Sequence, residues 1–216
     1  MSAEPDQADP SAPAQPGHAY TVRHRDVHFV GPVFTLVTDD VAMPGGGYAK
    51  RDFIIDVGAV GIVAIDDDER VVLVHQYRHP AGTFLWELPA GLIDVAGEPL
   101  AAAAARELAE EADLIADDWR LLLDIHPTPG VSTEVIRLYL ARGLHDVAAD
   151  RRYRREHEEA DMTVRRVPLD EAVDMVLRGE ITNATAAVGL LAAARVRDTG
   201  WPLVRPIDAP LPPRQS

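Results

Sequence analysis

ELPAGLIDVAGEPLAAAAARELAEEADL, residues 87–114, holds the helix from which the remainder of the chain can be placed. Pro99 suits a first helical position, because the N–H it lacks would have no intrahelical partner there. The alanines at 101–105 are the strongest helix formers, and the pattern runs to Ala112. At about 100° per residue, Ala101, Ala105, Leu108 and Ala112 share the side expected to be buried. Glu107, Glu110 and Glu111 stand at i, i+3 and i+4, so their carboxylates gather on another side. Arg106 reaches Glu110 one turn on. Three carboxylates on one face repel one another unless a cation lies among them, and Mg²⁺ and Mn²⁺ are hard ions that take oxygen ligands. The plainer alternative for three glutamates alone is a solvated charged face.

The order of residues around these glutamates resembles the Nudix box, the signature of the Nudix hydrolase superfamily. That pattern is Gly, five residues, Glu, seven residues, then Arg-Glu-aliphatic-any-Glu-Glu-any-Gly-aliphatic. Here Glu98 is followed by seven residues and then by Arg106, Glu107, Leu108, Ala109, Glu110, Glu111, Ala112, Asp113 and Leu114. Two positions depart from the pattern. Six residues separate Gly91 from Glu98, and Asp113 stands where the family has glycine. A residue just past a helix C-terminus often takes positive φ, which glycine adopts freely and Asp at a cost. Asp113 is therefore read as a tolerated cap.

A chain of 216 residues can bury a sizeable core. With 35 acidic and 21 basic residues its net charge is −14, which argues against nucleic acid as a partner. An anionic substrate would need metal ions and a few local arginines. Without cysteine there is no disulfide framework, zinc-thiolate site or thiol nucleophile. Neither a signal peptide nor an apolar run of the ~20 residues that a membrane span requires is legible, and the expected location is cytoplasmic.

Residues 1–18 are rich in Pro, Ala, Ser and acids, and are expected to be a disordered tail. A β-rich region follows at 19–57, with strands near 26–30, 33–43 and 48–57 and a glycine turn at 45–47. Ala59–Asp66 and Arg70–Gln76 read as a buried hairpin around an Asp-rich turn, and Thr83–Pro89 as a strand leading into the helix. Trp119–His126 and Val135–Ala141 are strands around a Pro-Gly loop. The charged stretch 145–161 is a loop, Met162–Val167 a last strand, and Leu169–Arg178 and Asn183–Val196 are helices. From 201 to 216 the chain is a Pro-rich tail, extended from Pro202. Strands on both sides of one helix, with more helix after them, give an α/β fold. The resemblance implies a Nudix-type α/β/α sandwich with a mixed sheet over 58–200. The β-rich region ahead of it is similar to the ADP-ribose pyrophosphatase branch, whose N-terminal strands exchange between subunits to build a homodimer.

The resemblance also implies roles. Glu107 and Glu111 would be the principal ligands of two or more Mg²⁺ or Mn²⁺ ions, Glu110 would add to the cluster, and the carbonyl of Ala90 would join them. Glu98 and Arg106 would orient that shell. The base would be a glutamate on the loop Glu156-His157-Glu158-Glu159, either Glu158 or Glu159, with His157 ranked below them. Arg78, and Arg51 from an earlier strand, would bind phosphate, which arginine does bidentately. Glu87 is either part of the substrate site or an arginine's ion-pair partner. Pro129, fifteenth after Leu114, and the loop residues Ser132 and Glu134 resemble that branch's substrate loop, where a hydroxyl and a carboxylate can hold ribose hydroxyls. The activity implied is metal-dependent hydrolysis of ADP-ribose to AMP and ribose 5-phosphate. The alternatives are another nucleoside diphosphate sugar or dinucleotide as substrate, or a binding module without catalysis.

Overall fold

After Tyr20 the chain builds three antiparallel strands, β1 (Val22–Val30), β2 (Phe34–Ala42) and β3 (Tyr48–Asp56). The structure is a computed structural model and describes residues 19–154, 161–201 and 205–213. The expected tail at 1–18 and the candidate bases Glu158 and Glu159, with His157, lie outside the described residues. Contacts divide the chain between Phe53 and Ile54 into two compact units. In the first, Arg25 on β1 faces Asp39 on β2 and grips it bidentately, Nε to Oδ1 at 2.7 Å and Nη2 to Oδ2 at 2.9 Å. Gly46 and Gly47 take φ of +84° and +77° in the turn between β2 and β3, as a hairpin there requires.

The second unit continues with β4 (Ala59–Ala64), β5 (Arg70–Arg78), β6 (Thr83–Glu87), β7 (Ala90–Leu92), α1 (Leu100–Ala112), β8 (Leu114–Ile125), β9 (Ile136–Asp146), β10 (Thr163–Pro168), α2 (Leu169–Leu177) and α3 (Ala184–Asp198). A mixed sheet runs β7-β4-β9-β8 with β4 parallel to β9, and an antiparallel sheet runs β10-β5-β6. Apolar residues on both faces make β4 and β9 central strands. Val60, Ile62, Tyr139 and Ala141 pack toward Ala104 and Leu108 of α1, while Val63, Leu138 and Leu140 pack toward α2 and α3. Helix, sheet and helix form the expected sandwich.

The structure corrects the sequence reading in three places. The runs at 59–66 and 70–76 do not pair as one hairpin, since β4 and β5 belong to different sheets, with an isolated Ile65–Val71 bridge between the runs. Asp66 turns the chain between them, its Oδ1 accepting from the amides of Asp68 and Arg70 at 3.1 and 2.9 Å. Pro99 caps α1 with extended backbone instead of entering it; its carbonyl accepts from Ala102 N at 2.8 Å. The buried face of α1 is Ala103, Ala104, Leu108, Glu111 and Ala112, with Ala101 and Ala105 only half-buried, because Glu111 turns inward. Asp113 ends the helix at φ +56°, the left-handed cap expected of it.

Candidate active site

The inward turn of Glu111 defines the site. Its carboxylate is 5% exposed and its Oε2 accepts the Ala90 amide of β7 at 2.9 Å. Removing a carboxylate from water costs several kcal/mol unless hydrogen bonds and opposite charge offset it. Glu107, one turn earlier, lies over the next residue of the same strand. A Cβ placed on Gly91 would stand 2.0 Å from Glu107 Cδ. Any larger residue at 91 would therefore have to push the Glu107 carboxylate aside.

Arg106 gathers the other acids. Its Nε and Nη2 donate to Glu98 Oε1 and Oε2 at 3.2 and 3.0 Å, and Nη1 donates to Glu107 Oε1 at 2.6 Å and to Glu110 Oε2 at 3.4 Å. The Glu98 hydrogen bond raises the guanidinium pKa and, reciprocally, lowers that of Glu98. Among the described residues no three His, Cys, Asp or Glu side chains come together as a metal site. What converges on Ala90–Gly91 is two carboxylates and the backbone, with Glu110 held aside by Arg106. The two carboxylates are hard oxygen donors, and glycine leaves them room, so the residues fit Mg²⁺ or Mn²⁺, an ion that keeps waters or substrate oxygens in its remaining positions.

A cleft of about 510 Å³ opens beside this junction, with Arg78, Glu87, Ala90, Gly91 and Glu134 in its walls. Glu87, 3% exposed, holds Arg78 bidentately, Oε1 from Nε at 2.9 Å and Oε2 from Nη2 at 2.7 Å. Glu87 thus pairs with an arginine, as one of the two alternatives has it, and it also lines the cleft. That hydrogen bond chiefly raises the Arg78 pKa, and the negative charge of Glu111 adds to the rise. Burial, and then the charge of Asp56, push the Glu134 carboxyl upward.

Ser132 is not in the cleft wall; its hydroxyl pairs with Thr128 Oγ1 at 2.7 Å and accepts the Glu134 amide at 3.3 Å, shaping the loop itself. Arg51 belongs to the first unit, where Nη1 donates to the Lys50 carbonyl at 2.8 Å and Nη2 to Met43 Sδ at 3.6 Å. The cleft also includes Pro127, Ile136 and the start of α3 at Asn183, Ala184 and Thr185, which sequence reasoning missed. Asn183, read from the sequence as the start of a helix, is its cap and accepts the Ala186 amide at 2.9 Å; nothing local in the sequence shows that this helix end faces a cleft.

Two outcomes are expected. Gly91→Ala displaces the Glu107 carboxylate, and turnover measured on the purified protein falls by about 100-fold, the cost of roughly 1 Å of misplacement. Unchanged turnover would show that Glu107 need not lie there. A carboxyl whose folded pKa is raised stabilises the fold relatively at low pH and loses that contribution as pH rises through the folded value. Glu134→Gln removes the charged form, so thermal melts should place the variant above the parent at pH ~8 and level with it below pH ~4. A constant difference at all pH values would contradict the assignment.

The NUDIX domain model matches residues 56–187. The chain is 49% identical over 188 residues to the ADP-ribose pyrophosphatase of Mycobacterium tuberculosis (strain ATCC 25618 / H37Rv), covering 87% of this chain and 88% of the relative. It is 35% identical over 158 residues to the CMP-5'-(N-acetyl-N-hydroxy-3-aminopropyl)phosphonate hydrolase of Streptomyces rubellomurinus (strain ATCC 31215), covering 73% and 74% of the two. A solved structure described as an ADP compounds hydrolase shares the fold, with a TM-score of 0.72 at 22% identity over 87% of this chain and 100% of that one. The match from Asp56 to Ala187 takes in the glutamate helix, the strand it rests on and the cleft beside them, and the chain belongs to the Nudix hydrolase family.

Proposed function

We propose that this protein hydrolyses ADP-ribose to AMP and ribose 5-phosphate. The observation that carries the reading is the junction of Glu107 and Glu111 with Ala90–Gly91, at the wall of a cleft that also holds Arg78. The resemblance over most of both chains to an ADP-ribose pyrophosphatase supports the substrate. Water attacks one phosphorus; a new P–O bond forms, and the bond from that phosphorus to the bridging oxygen breaks. Two phosphate monoesters result, and the water's proton passes to Glu158 or Glu159. Glu107, Glu111 and the Ala90 carbonyl, with Glu110 beside them, would hold two or more Mg²⁺ or Mn²⁺ ions, which supply charge neutralisation on the phosphate oxygens. Arg106 and Glu98 orient the ligands, an outer-shell role that commonly costs 10–100-fold when removed. Arg78, steered by Glu87, binds a phosphate, with Arg51 as a further candidate. Glu134 accepts from ribose hydroxyls, and Ser132 keeps its loop in shape.

The decisive assay is hydrolysis of ADP-ribose with and without Mg²⁺, with products identified. Glu107→Gln and Glu111→Gln should each lower kcat by about 100-fold or more; full activity in both would remove the metal assignment. A second reading, another nucleoside diphosphate compound as substrate, is favoured by the resemblance to a CMP-phosphonate hydrolase. Equal rates on GDP-mannose or NADH would replace the ADP-ribose assignment with it.

A homodimer built through the N-terminal strands is supported by their apolar surface: Val27, Phe29, Val30 and Phe34 are 57, 51, 72 and 40% exposed. Sedimentation should give twice the chain mass, and a monomer at micromolar concentration would refute it. Among the described residues no helix is long and apolar enough to cross a membrane; a cytoplasmic location is part of the same proposal.

A further inference from the structure

The loop between β8 and β9 is tied down by charges that the proposed reaction does not use. Asp124 and Arg137 face each other across these strands, with side chains 3% and 2% exposed, and Nε meets Oδ1 at 2.7 Å and Nη2 meets Oδ2 at 3.1 Å. Beside a hydrogen bond between Arg137 and Tyr139, further hydrogen bonds to the pair come from residues 205–210. Arg137 Nη1 donates to the Ala209 carbonyl at 2.6 Å and Nη2 to that of Pro210 at 3.2 Å, while Arg205 Nη1 donates to Asp124 Oδ2 at 2.8 Å. Arg205 also bridges Leu121 on β8. A buried ion pair is tolerated only when its leftover donors and acceptors are satisfied, and segment 205–210 helps to satisfy them.

The position of this network gives it a use. Asp124–Arg137 is the pair next to Ile125–Ile136, the last before the chain leaves the sheet for loop 126–135. Pro127, Glu134 and Ile136 of that loop and its base line the cleft. The loop also docks on β3, where Thr133 N donates to the Ile54 carbonyl at 2.9 Å, but its two stems emerge at the ion pair.

We propose that segment 205–210 is a clasp which fixes the stems of loop 126–135, making Arg205, Asp124 and Arg137 positioning residues for substrate affinity. The identity of the substrate rests on the function proposed above. The test uses the full chain carrying Arg205→Ala, Arg205→Lys or Ala209→Asp; the last introduces a carboxylate where Ala209 packs against the Leu108 and Tyr139 cluster. Arg205 is partly exposed, so its loss leaves the Asp124–Arg137 pair in place. Arg205→Ala and Ala209→Asp should raise KM for ADP-ribose about tenfold with kcat within about twofold, the pattern of lost uniform binding. Amide hydrogen exchange over 126–135 should speed up by about tenfold in both, and Arg205→Lys should restore most of each effect. A lowered melting temperature with KM and loop exchange unchanged would overturn the clasp, leaving a merely structural segment. So would a fall in kcat at constant KM. If the parent protein does not turn over ADP-ribose, the functional reading fails on its own; unchanged exchange in the variants would still overturn the clasp.

Discussion

A glycine pressed under a carboxylate is the constraint from which the site follows. Glu107 lies so close to Gly91 that no side chain fits between them, and Glu111 accepts the amide of the preceding residue. These two contacts fix both the rotation of α1 and its distance from β7. The rotation explains why Ala101 and Ala105 are only half-buried while Ala104 and Leu108 are fully buried. A helix turned to bury its alanine stripe alone would carry Glu111 away from the strand. Packing energy and site geometry therefore compete on one helix, and the helix compromises by burying an acid among its apolar residues.

The cleft depends on the sheets parting. After Glu87 the chain breaks at Leu88-Pro89 and passes from the β10-β5-β6 sheet to the edge of the mixed sheet as β7. Proline donates no ladder hydrogen bond, so it suits such a crossing. The crossing places Glu87, at the end of one sheet, beside Ala90 and Gly91, at the edge of the other. Arg78, held by Glu87, comes to the same cleft from the end of β5.

Legibility in the sequence followed the range of each interaction. The glutamate helix and its left-handed cap at Asp113 depend on residues within a turn or two, and the sequence showed them. The sandwich was legible because β4 and β9 are apolar on both faces. Partnership between strands was not: β4 and β5 look like a hairpin because only a tight turn separates them, yet each is central to a different sheet. Likewise Arg137–Asp124, 13 apart along the chain, meet through strand register, and Arg78–Glu87, 9 apart, meet along one face of the paired strands β5 and β6, which composition does not reveal. Ser132 shows the converse, a residue whose family pattern points to substrate while its hydroxyl serves the loop.

Arg78 and Arg106 are the arginines placed at the cleft and at the helix junction, and both are held bidentately by carboxylates, Glu87 and Glu98. Glu107, Glu110, Glu111 and Glu134 add further acid to the same region. In a chain of net charge −14, such a site repels a diphosphate. An arginine already neutralised by its partner orients a phosphate through its remaining N–H groups more than it attracts one. Under the proposed function, that attraction would have to be supplied by divalent cations, which the carboxylates of α1 would hold. On the proposed function, these ion pairs would let an acidic cleft bind an anion chiefly when metal accompanies it.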